Sequence, residues 1–283
     1  MKNDVKKVWF ITGASAGFGK SFAEYAIQQG YRVVITARRL DKLELIKAIA
    51  PNQVAAIKMD VNNPDEVTAA VQQTIAQFGR IDVLINNAGY GIVGAVEETP
   101  EAELRAQLET NFFGAVAVTR AFLPRFRQQG EGAIVNISSM GGQMSFAGFG
   151  AYSASKFALE GISEALAAEV APLGIKVLIV EPGSFRTELA GGAMKYMPEI
   201  AAYKDTVGQT RNFAKAMNGS QEGDPLKAAA AIDKALAAEN TPLRLQLGED
   251  AFNAIKQHSE NLLKDLSAWE KVAIDTKLDV LTS

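Results

Sequence analysis

The stretch VWFITGASAGFGKS, residues 8–21, runs without a break from an apolar segment through a glycine-rich turn into an amphipathic one. Val8 to Thr12 reads as a buried strand and the residues from Gly19 onward as a helix, with three glycines at the junction. A strand that feeds a helix through such a turn aims free backbone N–H groups and the positive end of a helix dipole at one spot, which suits a phosphate. Three patterns fit the same ten residues. Gly13, Gly17 and Gly19 give a dinucleotide loop of spacing G-x-x-x-G-x-G, and Gly13 to Gly17 also fit the G-x-S-x-G elbow of hydrolases around Ser15. Ala14 to Ser21 approach a triphosphate-binding loop that ends in Lys20-Ser21, with Ala14 where the first glycine belongs.

The rest of the chain separates these readings. An elbow needs a histidine base, and the sole histidine, His258, falls in a C-terminal amphipathic segment away from any strand end. The triphosphate reading can take Asp60 as a magnesium ligand but leaves everything after residue 80 unused. The dinucleotide reading extends along the chain. Strand-like runs recur at 32–37, 54–59, 82–86, 133–138, 176–181 and 243–247, and helical periodicity fills the segments near 19–29, 41–49, 64–78, 101–128 and 150–171. This alternation predicts one α/β domain over 1–283, a doubly wound parallel sheet with helices on both faces and a ligand site outside the carboxyl ends of its strands. Residues 187–240, beginning with a stretch that includes GGAMKYMPEIAAYK, interrupt the strand pattern and are expected to form a substrate lid. A helical extension is expected over about 249–275, with Phe252, Ile255, Leu262, Leu263, Leu266 and Trp269 as a packing stripe.

Composition removes several function classes. Lysine and arginine total 29 against 32 acidic residues, a net charge of −3 with no basic block, so nucleic acid is not an expected partner. Cysteine is absent and histidine occurs once, which leaves no disulfide framework, no thiol nucleophile and no expected metal site. No apolar run approaches the ~18 residues of a membrane helix, so the chain is expected to be soluble and cytoplasmic.

Tyr152 and Lys156, in YSASK at 152–156, stand one helical turn apart on one face. A phenol with an ordinary pKa near ~10 relays protons at neutral pH only if its anion is stabilised, and a fixed ammonium supplies that. A three-unit lowering asks for about 4 kcal/mol, a plausible sum in a water-poor site.

Taken in order, the glycine loop, NNAG at 86–89, Ser139, YSASK and Pro182-Gly183 make residues 8–186 resemble the short-chain dehydrogenase/reductase family, and the C-terminal part resembles its 17β-hydroxysteroid-dehydrogenase-like branch. The resemblance implies a single Rossmann-type domain with a seven-stranded parallel sheet. It implies that Tyr152 is the general acid or base, that Lys156 lowers its pKa and binds the nicotinamide ribose, and that Ser139, rather than the adjacent Ser138, polarises the substrate oxygen. Asn111 matches the asparagine that holds a relay water. For the cofactor, the resemblance implies contacts from Gly13, Ser15, Gly17, Phe18 and Gly19 of the loop, Asp60 and Val61 beside the adenine, and Asn87, Ala88 and Gly89 at the end of the fourth strand. Pro182, Gly183 and Thr187 would contact the nicotinamide. Homodimers or homotetramers are usual in the family, with the helices over 101–128 and 150–171 as the expected contact surfaces.

An NAD enzyme of this kind places a carboxylate at the end of the second strand for the ribose 2′-hydroxyl. Here that end reads Thr36-Ala37-Arg38-Arg39, two guanidiniums and no acid, which suits a 2′-phosphate and points to NADP(H). Ala16 tempers this, since many NADP-using relatives carry a basic residue at that loop position. The expected reaction is hydride transfer between NADP(H) and a carbonyl or secondary alcohol on an apolar small molecule, with Tyr90, Met140, Met144, Phe146, Phe149, Phe185, Met194 and Tyr196 lining its pocket. A triphosphatase or kinase, and a non-catalytic NADP(H) sensor, are the competing readings. The sensor reading would not require all four catalytic residue types, which are present.

Overall fold

The computed structural model describes residues 6–188, 192–217 and 219–278. Nine strands run β1 (Val8–Thr12), β2 (Arg32–Ala37), β3 (Val54–Lys58), β4 (Val83–Asn86), β5 (Gly91–Val93), β6 (Gly132–Ile137), β7 (Ile175–Pro182), β8 (Met194–Tyr196) and β9 (Arg244–Leu247). The helices are α1 (Gly17–Gln28), α2 (Leu40–Lys47), α3 (Pro64–Phe78), α4 (Glu101–Leu108), α5 (Gly114–Gln129), α6 (Gly150–Val170), α7 (Val207–Ala216), α8 (Pro225–Ala237), α9 (Glu249–Ala268) and α10 (Glu270–Ile274). Seven strands form one parallel sheet in the order β3-β2-β1-β4-β6-β7-β9. The order reverses between β1 and β4, the place where a crevice opens at the carboxyl ends of such a sheet.

Alternation along each strand divides the core into two layers. Trp9, Ile11, Val33 and Ile35 point to the face covered by α1, α2 and α8, whereas Phe10, Val34 and Leu84 meet Phe122 and Phe126 of α5 on the other. Burying a side chain of this size stabilises by about 1.5–3 kcal/mol, so the near-continuous apolar runs of the sequence are what a sheet covered on both faces requires. Asn63 caps α3 by accepting from the N–H groups of Asp65 and Glu66, with Pro64 at the first helical position, which fixes the start read from the sequence.

Four features differ from the sequence reading. The single helix expected over 101–128 is split by a π-helical turn, Glu109–Phe113, that contains Asn111. A second, two-stranded parallel sheet pairs β5 with β8, register Gly91↔Met194, and strands of three residues are too short to leave a periodic signal. The expected lid is too long: α8 belongs to the core, because its small residues Ala228 and Ala229, with Ile232, bed against the sheet. Asp233 of α8 also accepts hydrogen bonds from Tyr25, Tyr31 and Lys7. Of the expected lid, the segment around β8 and α7 lies outside the seven-stranded sheet. The C-terminal stripe does not pack either. Ile255 is buried, but Phe252, Leu262, Leu263, Leu266 and Trp269 are each more than half exposed, because α9 meets the body only near its first turns.

Candidate active site

The glycine loop is built for close approach. A β-carbon on Gly19 would lie 2.5 Å from the Gly13 carbonyl oxygen and 2.6 Å from the Asn87 amide nitrogen, and Gly13 holds a left-handed φ of 66°. Thr12 and Asn87 lock the turn: the Thr12 hydroxyl accepts from the Asn87 and Ala88 N–H groups at 2.9 and 3.0 Å, and the Asn87 amide donates back to the Thr12 and Gly13 carbonyls. The end of β4 and the loop after β1 are therefore one rigid floor. Helix α1 starts at Gly17 with no side-chain cap, so its first N–H groups remain for an anion. The Phe18 ring packs on Phe22 and Phe185 and anchors this helix start to the core.

Arg38 and Arg39 lie exposed just beyond β2, and neither forms an ion pair among the described residues; the nearby Glu44 takes Lys47 instead. The Arg39 guanidinium donates to Ser15 Oγ at 3.4 Å, so it borders the glycine loop. Lys20 turns outward to Glu24 at 3.8 Å, away from the position a triphosphate-loop lysine takes. Asp60 makes a local turn, accepting from the Asn62 N–H at 3.0 Å, and Val61 is buried against Gly114 of α5. Thr187 arches over the loop: a β-carbon on Gly17 would lie 3.5 Å from Thr187 Cβ. Pro182 ends β7, and Gly183, which follows it, donates its N–H to the Leu247 carbonyl at 2.9 Å. Asn86, also in NNAG, is not at the crevice; it is buried and bonds Thr119 and Asn136 beneath the sheet's end.

The catalytic wall stands on α6 and the carboxyl end of β6. The Tyr152 ring and the Ser139 hydroxyl meet across Gly141, where a β-carbon would lie 3.3 Å from Tyr152 Cε1 and 3.4 Å from Ser139 Oγ. Ser139 Oγ accepts the Gly141 N–H at 3.0 Å, so the short turn after β6 sets its direction. Ser138 faces the other way and donates to Glu160, the alternation that favoured Ser139. Lys156 is buried, its Nζ 5.7 Å from the Tyr152 ring centroid and donating to the Ile137 carbonyl at 2.8 Å. Burial pushes the Tyr152 phenol up and the Ser139 hydrogen bond opposes this, while burial lowers the Lys156 ammonium to about 8 against the pull of Glu160. In this arrangement the Lys156 ammonium donates to the Ile137 carbonyl, and the net shift of the Tyr152 phenol is upward, with burial as its largest cause.

Asn111 donates to the Tyr90 carbonyl and to Ser155 Oγ, both at 3.0 Å, and accepts the Tyr90 N–H at 3.1 Å. Ser155 in turn donates to the Tyr152 carbonyl at 2.7 Å. The asparagine thereby ties the loop after β4 to the catalytic helix, and the π-turn that carries it is a form common at functional sites. Around Tyr152, Phe149 makes an edge contact with ring centroids 6.2 Å apart, and Met194 stands over Gly91 next to the tyrosine ring. Phe185 is a core residue, not a pocket residue, because Phe18 and Gly223 enclose it. Glu160, Glu181 and Arg244 were not singled out from the sequence. The four-residue spacing of Glu160 from Lys156 is its one visible signal.

A glycine-rich phosphate floor, a doubly wound sheet and a Ser-Tyr-Lys wall at its carboxyl end together define a dinucleotide-dependent oxidoreductase. The short chain dehydrogenase family matches residues 7–196, and the chain belongs to the short-chain dehydrogenase/reductase family. A short-chain dehydrogenase from Streptomyces avermitilis superposes with a TM-score of 0.92 at 50% identity, covering 98% of this chain and all of that one. The 3-ketodihydrosphingosine reductase of Bacteroides thetaiotaomicron is 40% identical over 86% of this chain and 88% of its own length. An alcohol dehydrogenase from Thermococcus sibiricus, complexed with 5-hydroxy-NADP, superposes with a TM-score of 0.71 at 25% identity over 86% of this chain and 96% of its own. The match is to the family and does not single out the 17β-hydroxysteroid branch.

Proposed function

We propose that this protein is an NADP(H)-dependent reductase of an apolar ketone or aldehyde. The observation that carries the chemistry is the meeting of the Ser139 hydroxyl and the Tyr152 ring across Gly141, with the buried Lys156 one turn further along α6. The cofactor supplies the hydride when bound. The chain's own residues hold and protonate the oxygen: Ser139 orients it, Tyr152 donates the proton, and Lys156 supports the phenolate that forms. The Asn111 side chain is committed to Tyr90 and Ser155, so a relay water falls to the backbone of the π-turn.

Two guanidiniums just beyond β2, where an NAD enzyme places a carboxylate, with Arg39 reaching Ser15 of the glycine loop, support NADP(H) over NAD(H). Replacing Arg38 by alanine is expected to raise the KM for NADPH by about 10–100-fold, the worth of one or two charge-assisted hydrogen bonds, and to change the KM for NADH little. Equal losses for both cofactors would remove the 2′-phosphate assignment.

Met194 and Phe149 near the tyrosine support an apolar substrate, and the relative named 3-ketodihydrosphingosine reductase directs the choice to a ketone on a long chain. Consumption of NADPH against long-chain 3-ketones, steroid ketones and aromatic aldehydes tests this. No turnover with any of them, at saturating NADPH, would refute it.

The proposal includes a homo-oligomer. Exposed Phe113 and Phe157 on the helices expected to form contacts support it, as does the uncovered part of α9 and its end, where Ser259, Leu262, Leu266 and Trp269 continue from the buried Ile255 at alternating spacings of four and three. Residues 256–278 carry four lysines and four acids, a balance that suits a second copy better than an anionic lipid surface. Leu266→Glu is expected to lower the mass measured by light scattering; an unchanged mass would free this face from the interface.

A further inference from the structure

Directly behind the catalytic wall lies a buried acid cluster that the proposed reaction does not use. Glu181, on β7, is fully buried and Glu160, on α6, nearly so. The Arg244 guanidinium of β9 reaches Glu160 at 2.6 Å, Glu181 at 3.1 Å and the half-exposed Glu164 at 2.6 Å. Gln246 of β9 donates to Glu181 at 2.5 Å, Gln143 donates to both buried acids, and Ser138 donates to Glu160 at 2.5 Å. One guanidinium therefore serves three carboxyl groups, with Lys156 the other cation in reach. Arg244 Nη1 and Gln143 Nε2 each reach both Glu160 Oε2 and Glu181 Oε1, so the two buried acids lie side by side. Two like charges held that close away from water disfavour one another, so one carboxyl keeps its proton.

The same pair grips the end of β6. Lys156 holds the Ile137 carbonyl, Glu160 holds the Ser138 hydroxyl one turn later on α6, and Ser139 follows. Gly142 leaves room for this: a β-carbon there would lie 2.1 Å from Glu160 Oε1 and 2.4 Å from Ser138 Oγ.

We propose that Glu160 and Glu181 share a single proton and act as the positioning unit of Lys156, with Glu160 the member that stays ionised beside it. The inference rests on Lys156 being the cation of the proposed reductase site. Burial, and then the charge of Glu160, raise Glu181 to about 7, which makes Glu181 the proton holder at neutral pH. Burial raises Glu160 too, but Ser138, Arg244 and Gln143 oppose that by stabilising its anion. Its charge in turn opposes the desolvation that brings Lys156 down to about 8. Without Glu160 ionised, the lysine loses its proton at a lower pH and no longer supports a phenolate.

The test is the titration of Lys156, followed by NMR of lysine labelled at the ε-carbon and assigned with Lys156→Arg. Glu160→Gln keeps an acceptor for Ser138 and is expected to lower the Lys156 midpoint by about one pH unit. Glu181→Gln, which mimics the protonated acid, lowers it less, and Glu164→Gln leaves it in place although it too faces Arg244. A Glu160→Gln protein with the wild-type lysine midpoint, or an equal shift from Glu164→Gln, overturns the proposal. In turnover with NADPH and a ketone that the wild type reduces, the alkaline limb of kcat/KM moves down with the lysine, about tenfold lower activity one unit above the new midpoint. If the wild type reduces no carbonyl compound, the reductase reading fails while the lysine titration still decides the acid pair.

Discussion

Phenylalanine at position 152 is expected to cut kcat by about 10²–10⁴ while leaving NADPH affinity and the melting temperature close to wild type, because general acid catalysis by a positioned hydroxyl contributes on that scale. The substitution removes one oxygen from a ring whose packing survives. The ring meets Phe149 edge-on, and a β-carbon on Gly141 would lie 3.3 Å from its Cε1, contacts that phenylalanine keeps. Ser139 still accepts the Gly141 N–H, so its orientation outlasts the change. Losing the hydroxyl costs about 1 kcal/mol of stability at most, far less than the catalytic term. Burial keeps the phenol above its ordinary range, so at neutral pH it carries the proton that carbonyl reduction consumes. Oxidation of the alcohol needs the reverse transfer and is expected to rise with pH until Lys156 deprotonates. Wild-type kcat in the phenylalanine protein, with cofactor bound, would show that another group supplies the proton.

The sequence made the parallel sheet legible because its central strands, such as β1 and β4, are buried on both faces and read as apolar runs, whereas the edge strand β9, Arg244–Leu247, is only partly buried and carries two polar residues. Tyr152 and Lys156 stand out through their four-residue spacing on one helix, whereas Ser139 is singled out by the family resemblance, with alternation only preferring it to Ser138. What stayed hidden depends on contacts between elements. The Glu160–Glu181–Arg244 cluster joins α6, β7 and β9, and no local spacing announces it. The π-turn at Asn111 shifts the helix by one residue, which an apolar stripe tolerates without a visible break. Helix α8 was assigned to the lid because an alanine-rich segment has little hydrophobic contrast; small side chains at a close contact make it core. The α9 stripe shows the opposite error, since amphipathic periodicity reports a face that seeks cover without saying which molecule supplies it.

Arginine 211 is expected to be the largest single contributor to the stability of the segment around β8 and α7, and replacing it with methionine should cost about 3–5 kcal/mol, the usual result of stranding one member of a buried ion pair. Its side chain is 3% exposed and that of its partner Glu98 is 2% exposed. Arg211 of α7 also donates to the Met197 carbonyl at 2.7 Å, so one guanidinium joins α7, the segment after β8 and the loop after β5. Burial raises the Glu98 carboxyl, but the Ile200 and Ala95 N–H groups and the Arg211 guanidinium together hold it below its ordinary value. Glu98→Ala should cost more than Arg211→Met, because it also orphans those two backbone donors, each worth about 1–3 kcal/mol. A carboxyl whose folded pKa is depressed lends stability above its unfolded value, about 4.3, and loses it as pH falls through the folded one. Arg211→Met removes the cation, so its deficit should be large at pH 7 and shrink in acid, where Glu98 is protonated in either protein. Thermal melts at both pH values, with hydrogen exchange of residues 194–216 to catch local opening, measure this. At neutral pH the melt should fall by roughly 10 °C, or the amides of that segment should lose protection first. A deficit that stays the same in acid would mean that packing of the long side chain, not its charge, is what fastens α7 to the body.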